Sequence, residues 1–311
     1  MRSVAIPQPG DPDVLEVADR PAREPAAGEV RIAVKAAAVN PTDIGLRQRG
    51  GGPDLDPPWV PGMDAAGVVE SVGPDVDRLH VGDQVMAAVS PRRAEGGAQQ
   101  ELLVVPAASV VPIPDGASLV QAATLPMNGL TAMRGLDMMG LQSGETLAVA
   151  GGAGLLGSYV IPLAKERGLR VIADAKPEDE ELVRGFGADE VVPRSDDFAG
   201  AVRAVAPDGA DGVYDTALLY RDALGAVRDG GQIVFVRGWD GEEVEDRGVR
   251  VHPVFVAQVL ERTDWLEELR ALASAGKLKL RVAGEYPPER AADAHRAMDA
   301  GGLRGRAVIV F

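Results

Sequence analysis

The amino-acid sequence predicts a mixed α/β protein of two domains, and three observations support this fold class. Up to about residue 120, short apolar runs alternate with turns rich in proline and glycine, which predicts a β domain. Beyond that point, apolar strands alternate with helical segments, a pattern typical of a doubly wound parallel sheet. A glycine-rich turn joins one of these strands to the helix that follows it. At 311 residues, the chain is long enough for about two domains with separate cores.

The β-rich region is predicted to form a compact, mostly antiparallel barrel. Its strand candidates are short apolar runs bounded by turns: Ser3–Ile6, Val14–Val17, Glu29–Ala38, Gly67–Val72, Gln84–Ala88, Ala98–Val105 and Val110–Pro112. Turn signals such as PGDPD and GPDVD separate them. Helical periodicity is scarce here, so the sequence predicts no long helix in this region.

A βαβ unit is predicted between Glu145 and Ala175. It begins with the apolar strand Thr146–Ala150 and continues through a glycine turn into a helix and a second strand. The turn contains Gly152, Gly154 and Gly157, which spell G-x-G-x-x-G. This spacing allows a tight turn, brings backbone N–H groups against a pyrophosphate and packs the helix close to the strand. The N-terminus of the helix adds a positive partial charge.

The context of this motif indicates a dinucleotide site. A bare G-x-G-x-x-G is weak in a chain with 38 glycines, where an ordinary glycine-rich turn is the alternative. Here a strand precedes the motif, a helix follows it, and Asp174 ends the next strand, about where ribose contacts are made. The residues predicted to bind the cofactor in this unit are Gly152, Ala153, Gly154, Leu155, Leu156, Gly157 and Asp174.

The rest of the chain continues the alternation of helices and strands. Predicted helices are Gln121–Thr124, Asn128–Met139, Pro177–Phe186, Phe198–Ala206, Tyr220–Val227, Trp265–Ser274 and Ala291–Ala300. Predicted strands are Glu190–Val192, Gly212–Thr216, Gln232–Val236, Val249–Val254 and Ala307–Phe311. Strands and helices at this spacing favour parallel pairing.

Composition excludes several classes of function. The net charge of −15 argues against nucleic acid or an anionic membrane as a partner, because polyanions require clustered Lys and Arg. The absence of cysteine excludes disulfides and thiolate metal sites. His80, His252 and His295 are far apart in sequence and lack metal-ligand spacing. With no apolar run near 18 residues and no signal-like N-terminus, we expect a cytoplasmic protein that acts on a small molecule.

Many further motifs occur in a specific order. They read EVRIAVKAAAVNPTD, PGMDAAGVVESVGPDVDRLHVGDQV, GGAQQELLVVP, LTAM, GGAGLLG, GFGADEVV, DGVYDT, GGQIVF and LRGRAVIVF. In these motifs the chain resembles the zinc-free medium-chain dehydrogenase/reductases, the quinone oxidoreductase or zeta-crystallin-like group. The resemblance implies a GroES-like catalytic domain of residues 1–120 and 275–311, into which a Rossmann domain of residues 121–274 is inserted. It also implies a homodimer.

The resemblance further implies a metal-independent reductase. Zinc-dependent relatives carry a Cys where Asn40 stands and a His where Met63 stands. Without a Lewis acid, the expected reaction is hydride transfer from a reduced nicotinamide to a quinone or an enone. Two alternatives stay open: a reductase of a specialised substrate such as an enoyl thioester or a biosynthetic intermediate, and a nucleotide-binding protein of low activity with a sensing or structural role.

Candidate catalytic residues follow from the same resemblance. Asn40 and Asp43 lie in a segment that faces the nicotinamide end in the family, although each could instead stabilise a local turn. Thr131, in LTAM, resembles a cofactor-contacting residue but could also cap a helix. Gly45 replaces a tyrosine of several relatives, which leaves the proton donor unassigned. Leu155 occupies a position where relatives have a small residue, so it could crowd the pyrophosphate or point into the core.

The choice of nicotinamide cofactor depends on three charged residues. Asp174 favours NAD, because a carboxylate binds ribose hydroxyls and repels a 2′-phosphate. Lys176 and Arg194 favour NADP, since Arg offers a planar donor fork to a phosphate. Together with the cofactor commonly used in the family that the chain resembles, these residues predict NADPH, with NADH possible. A further departure lies at residues 216–219, which read TALL where the family often reads TVGG.

Overall fold

The structure, a computed structural model, describes residues 1–239, 241 and 247–311. It divides the chain into two compact units. The first unit contains residues 1–127, 259–276 and 280–311, and the second contains residues 128–258 and 277–279. Within the described ranges, no helix is both long and apolar enough to cross a membrane.

Strands and α-helices are numbered in chain order. The strands are β1 (Arg2–Ala5), β2 (Glu16–Asp19), β3 (Glu29–Ala38), β4 (Asp64–Val72), β5 (Gln84–Ala88), β6 (Leu102–Pro106), β7 (Val110–Pro112), β8 (Thr146–Ala150), β9 (Arg170–Ala175), β10 (Glu190–Pro193), β11 (Ala210–Asp215), β12 (Val227–Val236), β13 (Arg250–Val254), β14 (Val282–Tyr286) and β15 (Arg306–Val310). The α-helices are α1 (Pro41–Arg49), α2 (Leu119–Ala122), α3 (Pro126–Met139), α4 (Gly157–Glu166), α5 (Glu180–Gly185), α6 (Phe198–Val205), α7 (Arg221–Leu224), α8 (Thr263–Ser274) and α9 (Ala291–Asp299).

The first unit is built on a mainly antiparallel sheet. Its strand order is β14-β15-β3-β4-β5-β7, with β6 also paired to β3, and only β14 and β15 run parallel. Alternate residues of β3, namely Val30, Ile32 and Val34, enter the core of this unit, as the two-residue period of a strand requires. Strand β15 lies between β14 and β3, so the C-terminal segment completes the sheet of the first unit.

The second unit contains a parallel sheet of the Rossmann type. Its strand order is β10-β9-β8-β11-β12-β13, and all neighbouring pairs run parallel. The order reverses at β8, and ligands of such sheets bind at the carboxyl ends of strands around this point. Apolar side chains from three of these strands, Ala148, Ile172 and Val213, pack into one core cluster. The predicted α/β fold class, with a mainly antiparallel β domain and a Rossmann-type parallel sheet, is confirmed.

The division of the chain differs from the predicted boundaries around helix α8. We predicted that residues 121–274 would belong to the nucleotide-binding domain, whereas α8 belongs to the first unit. Thr263, at the start of α8, donates a hydrogen bond of 2.6 Å to the carbonyl of Ala108. At its end, the hydroxyl of Ser274 accepts one of 2.9 Å from the N–H of Asp115. These two contacts attach α8 to the β-rich unit.

Helix α1 was not predicted, and its buried face explains why. Pro41 occupies its first turn, and the Asp43 carboxylate accepts a hydrogen bond from the N–H of Asn40, which fixes the start of the helix. However, its buried side includes Asp43 and Arg47, which are polar. The helix therefore lacks the apolar stripe on which sequence prediction depends.

A buried arginine attaches α1 to the rest of the first unit. The guanidinium of Arg47, 1 % exposed, donates to the carbonyl of Gly10 at 3.1 Å and to the Asp299 carboxylate at 2.8 Å. Its third nitrogen lies 3.2 Å from Nδ1 of His295. Burial and the adjacent guanidinium lower the pKa of His295 to about 3, so this imidazole stays neutral. Helix α1 is thus held rigidly against α9.

Candidate active site

The glycine turn follows β8 and provides a backbone surface suited to a dinucleotide. Gly151 has a φ of +85°, which favours glycine. A Cβ on Gly157 would lie 2.3 Å from the carbonyl oxygen of Gly151, so helix α4 packs directly on the turn. At Gly154, by contrast, the nearest atom to a Cβ is that same oxygen at 3.2 Å. The turn is therefore closely packed on its inner side and open around Gly154, where a ligand could approach the backbone.

Side chains within the turn are placed to leave this surface open. Leu155 is 2 % exposed, so of the two possibilities it points into the core and does not crowd the turn. Ala153 is also buried, and Leu156 is half-buried immediately before α4. Helix α4 begins at Gly157, and the positive end of its dipole faces the turn. These residues fit the diphosphate of a nicotinamide dinucleotide.

Asp174 is engaged by the glycine turn itself. Its Oδ1 accepts hydrogen bonds from the N–H groups of Gly151 at 2.5 Å and Gly152 at 3.3 Å. Its Oδ2 lies 3.3 Å from a guanidinium nitrogen of Arg194. With the carboxylate 3 % exposed and both oxygens occupied, this geometry disfavours the predicted ribose contact. The sequence places Asp174 at the end of the strand, and the structure adds that its side chain lies against the glycines.

The other predicted cofactor residues have different surroundings. Lys176 is exposed immediately after β9, and the side chain of Arg194 is 40 % exposed. Thr131 lies inside α3 and is buried, so it does not cap a helix start. Its carbonyl accepts a hydrogen bond of 2.6 Å from the hydroxyl of Tyr214, whose pKa burial raises above its usual range. Contacts of these residues with a cofactor stay predictions.

In the first unit, a buried polar cluster surrounds Asn40. The Nδ2 group of Asn40 donates a hydrogen bond of 2.6 Å to Oδ2 of Asp64. Its Oδ1 accepts one of 2.9 Å from Nε of Arg306. Because a guanidinium can only donate, Arg306 identifies Oδ1 as the acceptor and so fixes the orientation of the amide, with Nδ2 toward Asp64. Asn40 and Asp64 are fully buried, and Arg306 is 9 % exposed.

Asp43 supports the same cluster through the backbone. One carboxylate oxygen accepts from the N–H of Asn40 at 2.7 Å, and the other accepts from the N–H of Gly62 at 2.8 Å. The structure therefore brings the two predicted catalytic residues, Asn40 and Asp43, into direct contact. Since Asp43 is fully buried and both its oxygens are occupied, it is suited to holding the start of α1 and not to touching a substrate.

Burial changes the acidity of both carboxyl groups in this cluster. It raises the pKa of Asp43 to about 6 and that of Asp64 to about 7. Backbone donors oppose this increase, from Asn40 and Gly62 for Asp43 and from Met127 for Asp64, and so does the nearby charge of Arg306. The burial that isolates Asn40 from solvent thus moves the pKa values of both carboxyl groups toward neutral pH.

The donor set around Asn40 is unsuited to zinc. Its amide is engaged at both ends, and Met63, at the other would-be ligand position, is a thioether that is 5 % exposed. In residues 1–239, 241 and 247–311, no three side chains among His, Cys, Asp and Glu are grouped so that they could hold a metal ion.

Asp64 and Arg306 were not identified as site residues from the sequence. The available signal was a charged residue at the first position of an otherwise apolar strand, as in DAAGVV and RAVIV. Such residues are normally solvated strand ends. Only the tertiary pairing of β15 with β3, and of β3 with β4, shows that these two charges meet at the same asparagine.

Known proteins match the chain over both units. Residues 26–115 match the alcohol dehydrogenase GroES-like domain, and residues 186–309 match the zinc-binding dehydrogenase domain. An NADPH-dependent alkenal/one oxidoreductase from Arabidopsis thaliana is 34 % identical over 290 residues, which cover 90 % of this chain and 72 % of that protein. The chain belongs to the zinc-free medium-chain dehydrogenase/reductases.

Further members of this family show the same relationship. A 2-methylene-furan-3-one reductase from Solanum lycopersicum is 31 % identical over 290 residues, which cover 90 % of this chain and 71 % of that protein. The solved structure of a quinone oxidoreductase from Pseudomonas syringae matches with a TM-score of 0.87 and 26 % identity, and it covers 100 % of this chain and 99 % of that one. The resemblance inferred from the motifs is thus confirmed for sequence and fold.

Proposed function

We propose that this protein is an NADPH-dependent reductase of quinones or of α,β-unsaturated carbonyl compounds. The observation that carries this proposal is the hydrogen bonding of Asn40, whose amide is bound at one end by Asp64 and at the other by Arg306. A medium-chain reductase with this residue at a zinc-ligand position needs an acceptor that is already electron-poor. The relatives named for alkenal/one and methylene-furanone reduction support such an acceptor.

The cofactor would be held by the second unit. The open backbone at Gly154 and the start of α4 are proposed to bind the diphosphate, and Arg194 and Lys176 the adenosine end. When bound, NADPH supplies a hydride to the electron-poor carbon of the acceptor, which also takes up one proton. The named NADPH dependence of the Arabidopsis relative supports this choice over NADH.

The first unit would contribute the orientation of the reacting groups. We propose that Asn40, buried and hydrogen-bonded at both ends of its amide, positions the segment at the reacting end, while Asp43 fixes the backbone from which it projects. Such a polar group contributes mainly by position, since its hydrogen bonds to Asp64 and Arg306 hold the amide in place. The source of the proton is not assigned to a side chain.

A panel assay tests the function directly. NADPH oxidation would be followed with a quinone, an alkenal, a cyclic enone, an enoyl thioester and a simple ketone. We expect turnover of the quinone or the enones, with the simple ketone inactive. Preference for the thioester would favour the specialised reductase, and binding of NADPH without turnover of any acceptor would favour a sensing or structural role. An Asn40→Ala variant with unchanged kcat would remove Asn40 from the mechanism.

Two broader expectations rest on the family alone. We infer a homodimer, which light scattering on the purified protein would test. A cytoplasmic location is likewise a prediction, which fractionation of the source cells would test.

A further inference from the structure

The carboxylate of Asp174 acts as an internal anion for the glycine turn. Two consecutive N–H groups, of Gly151 and Gly152, converge on its Oδ1. Consecutive backbone donors of this kind form a concave site for anions in other proteins. Here that position is occupied by a side chain of the neighbouring strand, because β9 pairs with β8 and brings Asp174 beneath the turn.

The second oxygen of Asp174 contacts Arg194. The guanidinium of Arg194 approaches Oδ2 at 3.3 Å, while its backbone N–H donates to the carbonyl of Ala175 at 2.8 Å. Arg194 follows β10, which pairs in parallel with β9, so both residues lie at the carboxyl edge of the sheet. With 40 % of its side chain exposed, Arg194 keeps donors accessible to a ligand.

We propose that Asp174 is a positioning residue of the cofactor site: its Oδ1 holds the glycine turn, and its Oδ2 orients Arg194 toward the 2′-phosphate of NADPH. A flexible arginine that is already restrained loses less conformational freedom when a phosphate binds. The charge of Asp174 is met by two N–H groups and one guanidinium, so it presents little repulsion to that phosphate. The inference rests on the proposed function, because it assigns Arg194 to the 2′-phosphate of NADPH.

The two halves of this role can be separated by two substitutions at one position. In Asp174→Asn, the side-chain oxygen still accepts from Gly151, but the charge that restrains Arg194 is lost. We expect the Kd for NADPH to rise about two- to fivefold, as for a partly exposed ion pair, and the Kd for NADH to change less. In Asp174→Ala, the two N–H groups of the turn lose their acceptor, so both Kd values should rise roughly tenfold or more.

Binding would be measured by titration calorimetry with NADPH and NADH, without any acceptor. Arg194→Ala should weaken NADPH binding selectively, and adding Asp174→Asn to it should cause no further loss, as expected when one residue acts through the other. Arg170→Ala is the matched control, because its side chain is 39 % exposed and pairs with Glu190 at the opposite end of β9. It should leave both Kd values unchanged.

Several outcomes would overturn the proposal. If Asp174→Asn weakens the binding of NADPH and NADH equally, Asp174 is a ribose ligand. If it strengthens NADPH binding, Asp174 repels the phosphate. If Asp174→Ala does not fold, the double variant that combines Asp174→Asn with Arg194→Ala still tests the proposal. A parent protein that prefers NADH would contradict the proposed cofactor, whereas unchanged NADH binding by folded Asp174→Ala would contradict the role of Asp174 in the turn.

Discussion

The amide of Asn40 donates a hydrogen bond of 2.6 Å to the carboxylate of Asp64, and both side chains are fully buried. This pair joins the start of α1 to the start of β4. Arg306 binds the other end of the amide from β15, so three segments distant in sequence meet at one side chain. A buried carboxylate, amide and guanidinium in contact stabilise one another, and each would be costly to leave alone.

The first prediction concerns metal dependence. Because Asn40 and Met63 stand at the zinc-ligand positions, chelators such as EDTA should leave NADPH oxidation unchanged. Elemental analysis of the purified protein should find no stoichiometric zinc. Loss of activity on chelation, restored by added zinc, would contradict the assignment of this protein to metal-independent chemistry.

The second prediction separates two glycines of the turn. Gly154→Val should give a folded protein with much weaker nucleotide binding, because the nearest atom to the new Cβ is 3.2 Å away and the side chain extends over the open backbone. Gly157→Ala should instead destabilise the fold, since its Cβ would lie 2.3 Å from a carbonyl oxygen. Circular dichroism and NADPH titration of both variants provide the comparison. Normal nucleotide affinity in folded Gly154→Val would place the site elsewhere.

The third prediction concerns the pH dependence of stability. The pKa of Asp64 is about 7 in the folded protein and about 3.9 in an unfolded chain, so between these values the folded state binds more protons. The contribution of Asp64 to the free energy of unfolding therefore falls as the pH rises through this window. Between pH 5 and pH 8, urea unfolding should show a smaller decrease in the free energy of unfolding for Asp64→Asn than for the parent.

The comparison with the parent isolates Asp64 from other titrating groups. His295, with its lowered pKa, contributes the opposite slope, since its stabilisation is lost as the pH falls below about 6.5. Asp43 and His295 are present in both proteins, so their contributions largely cancel in the difference. Identical pH slopes for the two proteins would show that Asp64 does not hold its proton near neutrality.

The fourth prediction concerns the anchor of α1. Arg47→Met should lower the free energy of unfolding by roughly 1–3 kcal/mol, because it removes the donors to Gly10 and His295 and the partner of the part-exposed Asp299. Arg49→Met, on the exposed side of the same helix, should change it by less than about 0.5 kcal/mol. Equal effects in urea unfolding would show that Arg47 is not the anchor.

The fifth prediction concerns the turn after β11. Leu218 has a φ of +61°, a region that favours glycine, and Asp215 holds this turn by accepting hydrogen bonds from Ala217 and Tyr220. Leu218→Gly should raise the free energy of unfolding by about 0.5–1 kcal/mol, since relief of the left-handed backbone exceeds the entropy cost of glycine. Leu219→Gly is the control and should be destabilising, because Leu219 packs against the core. A destabilised Leu218→Gly protein would contradict this account.

Much of the fold could be predicted where local patterns decide structure. Strands β3, β5 and β8 have the predicted bounds, because each is an apolar run that ends at a clear turn signal. Helix α1 and strand β14 were missed, since the buried face of α1 is polar and β14 alternates only between exposed and half-buried residues. Neither element has the apolar periodicity on which the prediction of helices and strands depends.

The candidate site was predictable only in part, for a geometric reason. The glycine motif identifies its own turn, but the direction of Asp174 depends on strand parity, where a shift of one residue reverses the face. The partners of Asn40 come from β4 and β15, and no local pattern connects residues 40, 64 and 306. Tertiary pairing therefore supplies the part of the site that sequence motifs leave undetermined.

The position of β15 between β14 and β3 affects the order in which the chain can fold during synthesis. Nearly all of the second unit is one continuous segment, residues 128–258, and such a segment can fold soon after it leaves the ribosome. The central sheet of the first unit must wait for a strand that is made more than 250 residues after β3. The Asn40 cluster, which includes Arg306, therefore cannot be complete until this last strand has been made, well after the glycine turn.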